Sequence, residues 1–238
     1  MKKVLISDYY QTFYLNDKDI EENKKVIKRF RELGNIFIIA TGRSYMDYKN
    51  KVQQYNIEYD YVILNHGTTI LDSNNNTIYN CVINNNIIDK LKNDLELNKS
   101  VSNFCCSKFE SRVNFNCNNL TKIHVRYNDR ETAMGISNKI NDKYAEYINA
   151  YFVTGNAVEI ISKETDKSYA ISLLLENLKI DKNQVYTIGD GYSDIEMIKD
   201  YNGYCMKESV EELKILAKNE FESVSMLVNE LMEDSIND

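Results

Sequence analysis

Four separate places in the chain carry side chains fit to handle an anion. Asp8 closely follows the apolar run Val4-Leu5-Ile6, and Thr41-Gly42-Arg43 follows Asn35-Ile36-Phe37-Ile38-Ile39-Ala40. Lys167 opens the apolar stretch KSYAISLLLENL, and Gly189-Asp190-Gly191-Tyr192-Ser193-Asp194 follows Val185-Tyr186-Thr187-Ile188. An ionised carboxylate can attack an electrophile without a general base. A hydroxyl beside a glycine amide can hold oxyanion oxygens, an ammonium can neutralise them, and aspartates can bind a hard divalent cation. Taken singly, each group is ordinary turn or cap chemistry. Their fixed order, with matching patterns around each, makes them a set.

The elements that must position them can be read from periodicity. The runs before Asp8, Thr41 and Asp190 are short and apolar, the pattern of strands buried on both faces. Between the first two, residues 19–33 place Ile20, Val26, Ile27, Phe30 and Leu33 at helical spacing, with acids early and bases late. Gly34 is a C-cap for that helix. Strand, helix and strand in so short a span predict a parallel βαβ unit with a right-handed crossover. A helix over 44–55, a strand over Tyr61–Leu64 and the turn Asn65-His66-Gly67 follow. Late in the chain come a helix over 167–178, a strand over 185–188 and helices over 194–199, 208–217 and 222–233. In an open parallel sheet the ligand crevice lies beyond the carboxyl ends of the strands, where such remote groups converge.

The middle has a different character. Residues 82–162 carry a helix (86–96), the strands RVNFNC and TKIHVRY, a second helix (131–146) and the strands YFVT and AVEIIS. Strands set between helices, with Asn-rich turns, read as an α+β insert. The expected fold is therefore α/β: a doubly wound parallel sheet formed by 1–81 and 163–238, with an inserted α+β domain at 82–162.

Composition sets limits on function. With 238 residues, 43% of them hydrophobic, the chain can build one sizeable core plus a smaller unit. It has no apolar stretch of about 18 residues, so no membrane span is expected. The apolar part of MKKVLIS is too short for a signal segment and reads as a first strand. Five cysteines without CxxC spacing fit reduced thiols in a cytoplasmic protein. The net charge of -7 argues against nucleic acid as a partner. The positive charge facing an anion must then come from a few placed residues or a metal.

The segments SDYYQTFY, IIATGRS, DKSYAISLLLENL and TIGDGYSDIEMI, in that order, resemble the haloacid dehalogenase superfamily, and within it the phosphatases of the Cof type. The likeness covers essentially the whole chain, and the insert falls where that branch carries its cap, between the second and third motifs. The resemblance implies a Mg²⁺-dependent hydrolase acting through an aspartyl-phosphate on a small phosphorylated metabolite, a sugar phosphate being one such class. It assigns Asp8 as nucleophile, Thr41 and Gly42 to the phosphoryl oxygens, and Lys167 to charge neutralisation. Asp8, the Tyr10 carbonyl, Asp190 and Asp194 become the metal set. In this branch one face of the cap sheet overhangs the site. Alternation puts Lys122, His124 and Arg126 on one face of TKIHVRY, so they could meet the distal part of an anionic substrate or form a solvated outer face. Arg112, Asn114 and Asn116 pose the same choice. Arg43 points toward the crevice or makes a structural ion pair, and His66, following a parallel strand, lines the crevice or is a turn histidine without a catalytic role.

Three departures from the family pattern stand out. The first motif usually reads Asp-x-Asp-Gly-Thr, but here it is Asp8-Tyr9-Tyr10-Gln11-Thr12, and Ser193 replaces the usual Asn. The missing second aspartate serves as acid and base in the family, and a phenol is a poor base near neutral pH. Three readings result: a phosphatase with weakened acid–base catalysis, a binder of phosphorylated ligands with impaired catalysis, or a haloacid dehalogenase, which carries tyrosine at this position. The acids of GDGYSD and the position of the insert favour the phosphatase branch over the last.

Overall fold

A computed structural model describes residues 2–153 and 155–237. The chain begins with β1 (Val4–Ser7), α1 (Asp17–Glu32), β2 (Ile36–Ala40), α2 (Tyr45–Tyr55) and β3 (Tyr61–Leu64), then a hairpin of β4 (Thr69–Asp72) and β5 (Thr77–Asn80). The insert comprises α3 (Asn85–Asp94), β6 (Ser100–Cys106), β7 (Ser111–Val113), β8 (Lys122–Tyr127), α4 (Arg130–Tyr144), β9 (Ile148–Val153) and β10 (Ala157–Ser162). The last part holds α5 (Lys167–Leu178), β11 (Val185–Gly189), α6 (Ile195–Asp200), β12 (Asn202–Met206), α7 (Glu211–Leu216), β13 (Glu220–Phe221) and α8 (Val224–Asn237). Thr154, expected at the end of the YFVT strand, lies outside the described residues.

The larger sheet has the order β13-β12-β11-β1-β2-β3-β4-β5 and is parallel except at β4 and β5. Both of its faces are covered, which is why β1 and β2 are buried along their length. Leu5, Phe37 and Phe13 pack with Ile20 and Phe30 of α1 and with Leu227 and Leu231 of α8. On the other face Val4, Ile6 and Ile38 pack with Ile171 and Leu174 of α5 and Met197 of α6. This is the doubly wound α/β fold. The second sheet, ordered β7-β6-β8-β10-β9, is antiparallel and has its own core with α3 and α4, among them Ile88, Leu91, Ile123, Val125, Ile136 and Val158.

Strand order fixes where chemistry can occur. β1 lies between β11 and β2, and Val4 stands level with both Val185 and Ile36. The sequence order reverses at β1, so a crevice opens at its carboxyl end. Asp8 follows β1, Thr41 follows β2 and Asp190 follows β11, each within that crevice. Lys167 arrives by another route. Gly67 has φ +113°, and a Cβ there would lie 2.1 Å from the Asp166 carbonyl oxygen. Thr165 Oγ1 also donates to the Gly67 carbonyl at 3.0 Å, and Asp166 caps α5 by accepting from the Tyr169 amide at 2.7 Å. The start of α5 is thereby pinned against the end of β3.

Several elements differ from expectation. RVNFNC forms a strand only through Val113, because the segment after it turns, with the Cys117 amide bonded to the Asn114 carbonyl. The β4–β5 hairpin was not expected, since each strand has only four residues and Asp72-Ser73-Asn74-Asn75-Asn76 reads as loop. Asp72 Oδ1 organises that turn by accepting from the amides of Asn74 and Asn76 at 2.9 and 2.8 Å. β6, β12 and β13 were likewise not anticipated. The expected helix over 208–217 is shorter, covering Glu211–Leu216.

A methyl group at Gly67 tests the seating of α5. Gly67→Ala must relieve the clash with Asp166 and a left-handed backbone, and is expected to lose at least ~2 kcal/mol of stability, read from urea midpoints. A variant as stable as the wild type would contradict this role of Gly67.

Candidate active site

The inner end of the crevice is built around one buried ammonium. Lys167 Nζ donates to Asp8 Oδ1 at 2.6 Å and to Asp194 Oδ1 at 2.5 Å. Lys167 and Asp194 are each 1% exposed and Asp8 8%. Asp194 is held from its other oxygen, which accepts the amides of Asp190 and Gly191 at 3.1 and 3.0 Å. Asp190 Oδ1 accepts from the Thr12 hydroxyl at 2.7 Å. Asp8, Asp190 and Asp194 each offer a carboxylate oxygen, all within 4.8 Å of one another.

Three carboxylates here share one lysine, and their protonation reflects it. Burial raises the Asp8 carboxyl to about 6, with Lys167 pulling it back and Asp194 pushing it further up. Asp190 is raised to about 8 by burial, then by Asp8 and Asp194. Burial works against the Lys167 charge, but the two carboxylates hold it above the ordinary lysine range. A cluster of hard oxygens whose mutual repulsion one ammonium does not offset fits a divalent cation.

The second strand end is fixed by a group the sequence did not single out. Thr41 is buried, and its Oγ1 accepts the Arg43 amide at 3.2 Å. A Cβ on Gly42 would lie 2.3 Å from His66 Cε1, so only glycine lets the imidazole pack there. His66 Nε2 bonds Glu159 Oε2 at 2.5 Å, while Glu159 Oε1 accepts from Lys122 Nζ at 2.7 Å and pairs with His124 Nδ1 at 2.9 Å. Lys122 Nζ also donates to the Gly42 carbonyl at 2.5 Å. Burial opposes the Glu159 charge, yet Lys122 and the bonds from His124 and His66 hold its carboxyl well below the usual range. Glu159 thus ties β8 and β10 of the insert to the Thr41-Gly42 turn of the larger sheet.

A cleft of about 770 Å³ runs between the two sheets. Asp8, Tyr10, Thr41, Gly42, Arg43, Asp190 and Asp194 line one side, and Lys122, His124 and Arg126 the other. The Lys122-His124-Arg126 face is therefore no solvated outer face: Lys122 is 3% exposed and committed to Glu159. Arg43 makes no ion pair among the described residues and lies over the rings of Tyr9 and Tyr10, at 5.3 and 5.6 Å from their centroids. Tyr10 is 44% exposed. Gln11 adopts φ +63° and uses its amide to bond the Tyr14 carbonyl at 2.9 Å. His66 is a buried tie in a left-handed turn, with φ +58°.

The haloacid dehalogenase-like hydrolase family model matches residues 5–116 and 105–226. The chain belongs to that family. It is 26% identical over 251 residues to a protein of Buchnera aphidicola subsp. Baizongia pistaciae named "Putative phosphatase", covering 92% of each chain. Among solved structures, it is similar to a haloacid dehalogenase-like hydrolase from Bacteroides thetaiotaomicron, with TM-score 0.80 at 19% identity over 97% of this chain and 100% of that one. A haloacid dehalogenase-like hydrolase from B. subtilis has TM-score 0.79 at 17% identity, over 96% and 99%.

Thr12 and Glu159 were not found by reading the sequence. Thr12 stands only four positions after Asp8, but the partner that gives it a role, Asp190, is 178 positions away. Glu159 carried a usable signal, as the one charge in the apolar strand AVEIIS, directly opposite His124 in the sheet.

Asp190 supplies a pH test with a defined sign. Between about pH 4 and pH 8 folded Asp190 keeps a proton that the unfolded chain has released. Its stabilising contribution is present below that window and lost as pH rises through it. In metal-free buffer, the melting temperature of Asp190→Asn should therefore gain on the wild type steadily from pH 5 to pH 8. An unchanged difference across that range would contradict the crowding of carboxylates.

Proposed function

We propose that this chain is a Mg²⁺-dependent phosphatase that acts on a small phosphorylated metabolite through an aspartyl-phosphate, with weakened acid–base catalysis. The observation that carries the reading is the buried Asp8–Lys167–Asp194 array at the end of the central strand. Family membership and the name of the Buchnera relative support it.

Asp8 attacks phosphorus, its oxygen forming the new P–O bond as the bond to the leaving oxygen breaks. Lys167 lies against the attacking carboxylate and neutralises charge spread between it and the phosphoryl group. Thr41 and the Gly42 amide bind phosphoryl oxygens from the opposite side. Asp8, the Tyr10 carbonyl, Asp190 and Asp194 would hold Mg²⁺, which when bound supplies positive charge to the phosphoryl oxygens. Water then attacks the aspartyl-phosphate, releasing phosphate and restoring Asp8. The insert, residues 82–162, acts as a cap over a core of 1–81 and 163–238, admitting small molecules and excluding polymers. Five free cysteines, four of them buried, fit a cytoplasmic, reducing setting. No helix among the described residues is long and apolar enough to cross a membrane.

Tyr10 favours a second reading, a binder of phosphorylated ligands. It lines the cleft beside Asp8 and brings no carboxyl to protonate a leaving alcohol or activate water. Substrates that leave without a proton separate the two. With Mg²⁺, p-nitrophenyl phosphate should be hydrolysed and glycerol 2-phosphate scarcely at all. Tyr10→Asp should then raise turnover of glycerol 2-phosphate by about 10²–10⁴. Failure of the wild type and the variant to cleave either ester would establish the binder. Released chloride from 2-chloropropionate would instead establish a dehalogenase.

A further inference from the structure

The chain has six arginines against 23 lysines, yet four of the arginines and only one lysine line the cleft. Arg43 lies near the inner end, and its Nε is buried with no hydrogen-bond partner among the described residues. The other three, Arg112, Arg126 and Arg130, come from three different elements of the insert: β7, β8 and the first residue of α4. Their convergence on one wall is a product of the tertiary fold. Arg130 was not a candidate from sequence at all, because it opens a helix.

The charge balance of that wall is one-sided. Its only carboxylate among the described residues is Glu159, which is occupied by Lys122 and two histidines. None of the three arginines has a carboxylate partner among the described residues; Arg126 Nη1 donates to the Asn156 side chain at 3.3 Å. Three unpaired guanidinium groups on one wall of a protein of net charge -7 form a local field opposite to the global one. Two of the three also sit against aromatic rings. Arg112 lies 4.8 Å over the ring of Phe104, and Arg130 4.9 Å over that of Phe152. Phe104 stacks in turn on His124, with centroids 4.5 Å apart and planes 17° from parallel. Arg112 keeps this place with a left-handed backbone, φ +65°, which a residue of its kind seldom adopts. A guanidinium stacked on an aromatic face keeps its N–H edge free for a two-point grip on a carboxylate or phosphate.

We infer that the insert wall is a second anion subsite, formed by Arg112, Arg126 and Arg130, and that the substrate is a phosphomonoester bearing another anionic group at its far end. This rests on the phosphatase reading for the fate of the first phosphate, but not for binding. The inner end takes one phosphate at Asp8 and Lys167, and the wall takes a phosphate or carboxylate across the cleft. Lys122 and His124 do not form the subsite, since both are committed to Glu159.

Equilibrium binding separates this subsite from catalysis. Titration calorimetry on Asp8→Asn, which cannot form the phosphoenzyme, compares fructose 1,6-bisphosphate with fructose 6-phosphate and 6-phosphogluconate with glucose 6-phosphate. The two-anion member of at least one pair should bind about tenfold tighter or more, and the pair that shows this identifies the second group as phosphate or carboxylate. In the Arg112→Ala/Arg126→Ala/Arg130→Ala background the preference should vanish while binding of the one-anion member stays within about twofold. The three residues are exposed, so the fold should survive, which circular dichroism checks. Equal affinity within both pairs, or a preference that survives the triple substitution, would overturn the subsite. A lost preference in a triple variant whose circular dichroism matches that of the Asp8→Asn parent would support it. A preference in a protein that hydrolyses nothing would sink the phosphatase and leave the subsite standing.

Discussion

One lysine holds this site together. The Lys167 ammonium sits between the carboxylates of Asp8 and Asp194, almost wholly out of water. Burying an ion pair is stabilising only when geometry and further hydrogen bonds offset the lost hydration. Here the offset is visible. Asp194 is bonded by two backbone amides, and Gly189 has no side chain because a Cβ there would lie 2.6 Å from the Asp194 carboxyl. The three charged groups come from a strand end, a helix start and a short turn, with Asp8 and Lys167 separated by 159 positions. Everything that seats those segments, including the close contact of Gly67 with Asp166, therefore acts on the chemistry.

Much of this arrangement was legible in the sequence because parallel sheets do predictable things. Short apolar runs at Val4–Ile6, Ile36–Ala40 and Val185–Ile188 must be central strands, and the residues just past the end of a central strand lie at the crevice. Asp8, Thr41 and Asp190 needed no more than that. Lys167 was legible because an apolar helix opened directly on it. The strands that escaped, β4, β5, β6, β12 and β13, mostly lie toward sheet edges and are interrupted by Asn or Gly or carry exposed polar residues. They form because a neighbour offers a ladder, a tertiary cause that local pattern does not report. Glu159 was hidden for a related reason: a lone acid in a strand has meaning only once its register with His124 and its contact with His66 are known.

The same gap explains the insert. Alternation correctly put Lys122, His124 and Arg126 on one face, but could not say what that face meets. In the structure the face divides by depth. Lys122 and His124 commit their polar groups to Glu159, joining the insert to the Thr41-Gly42 turn, whereas Arg126 stands clear with Arg112 and Arg130. The cleft thus has a carboxylate-rich inner end and a guanidinium-rich outer wall. The departures in the first motif lie at the inner end, where Tyr10 and Gln11 line the cleft beside Asp8.

The decisive question is whether Asp8 itself carries the phosphoryl group. Quenching the protein during turnover of p-nitrophenyl phosphate, reducing with borohydride and sequencing the peptides by mass spectrometry answers it. An aspartyl-phosphate is reduced to homoserine, so homoserine should appear at position 8 and nowhere else. Sustained turnover with residue 8 recovered only as aspartate, or with homoserine at another acid, would contradict that role for Asp8.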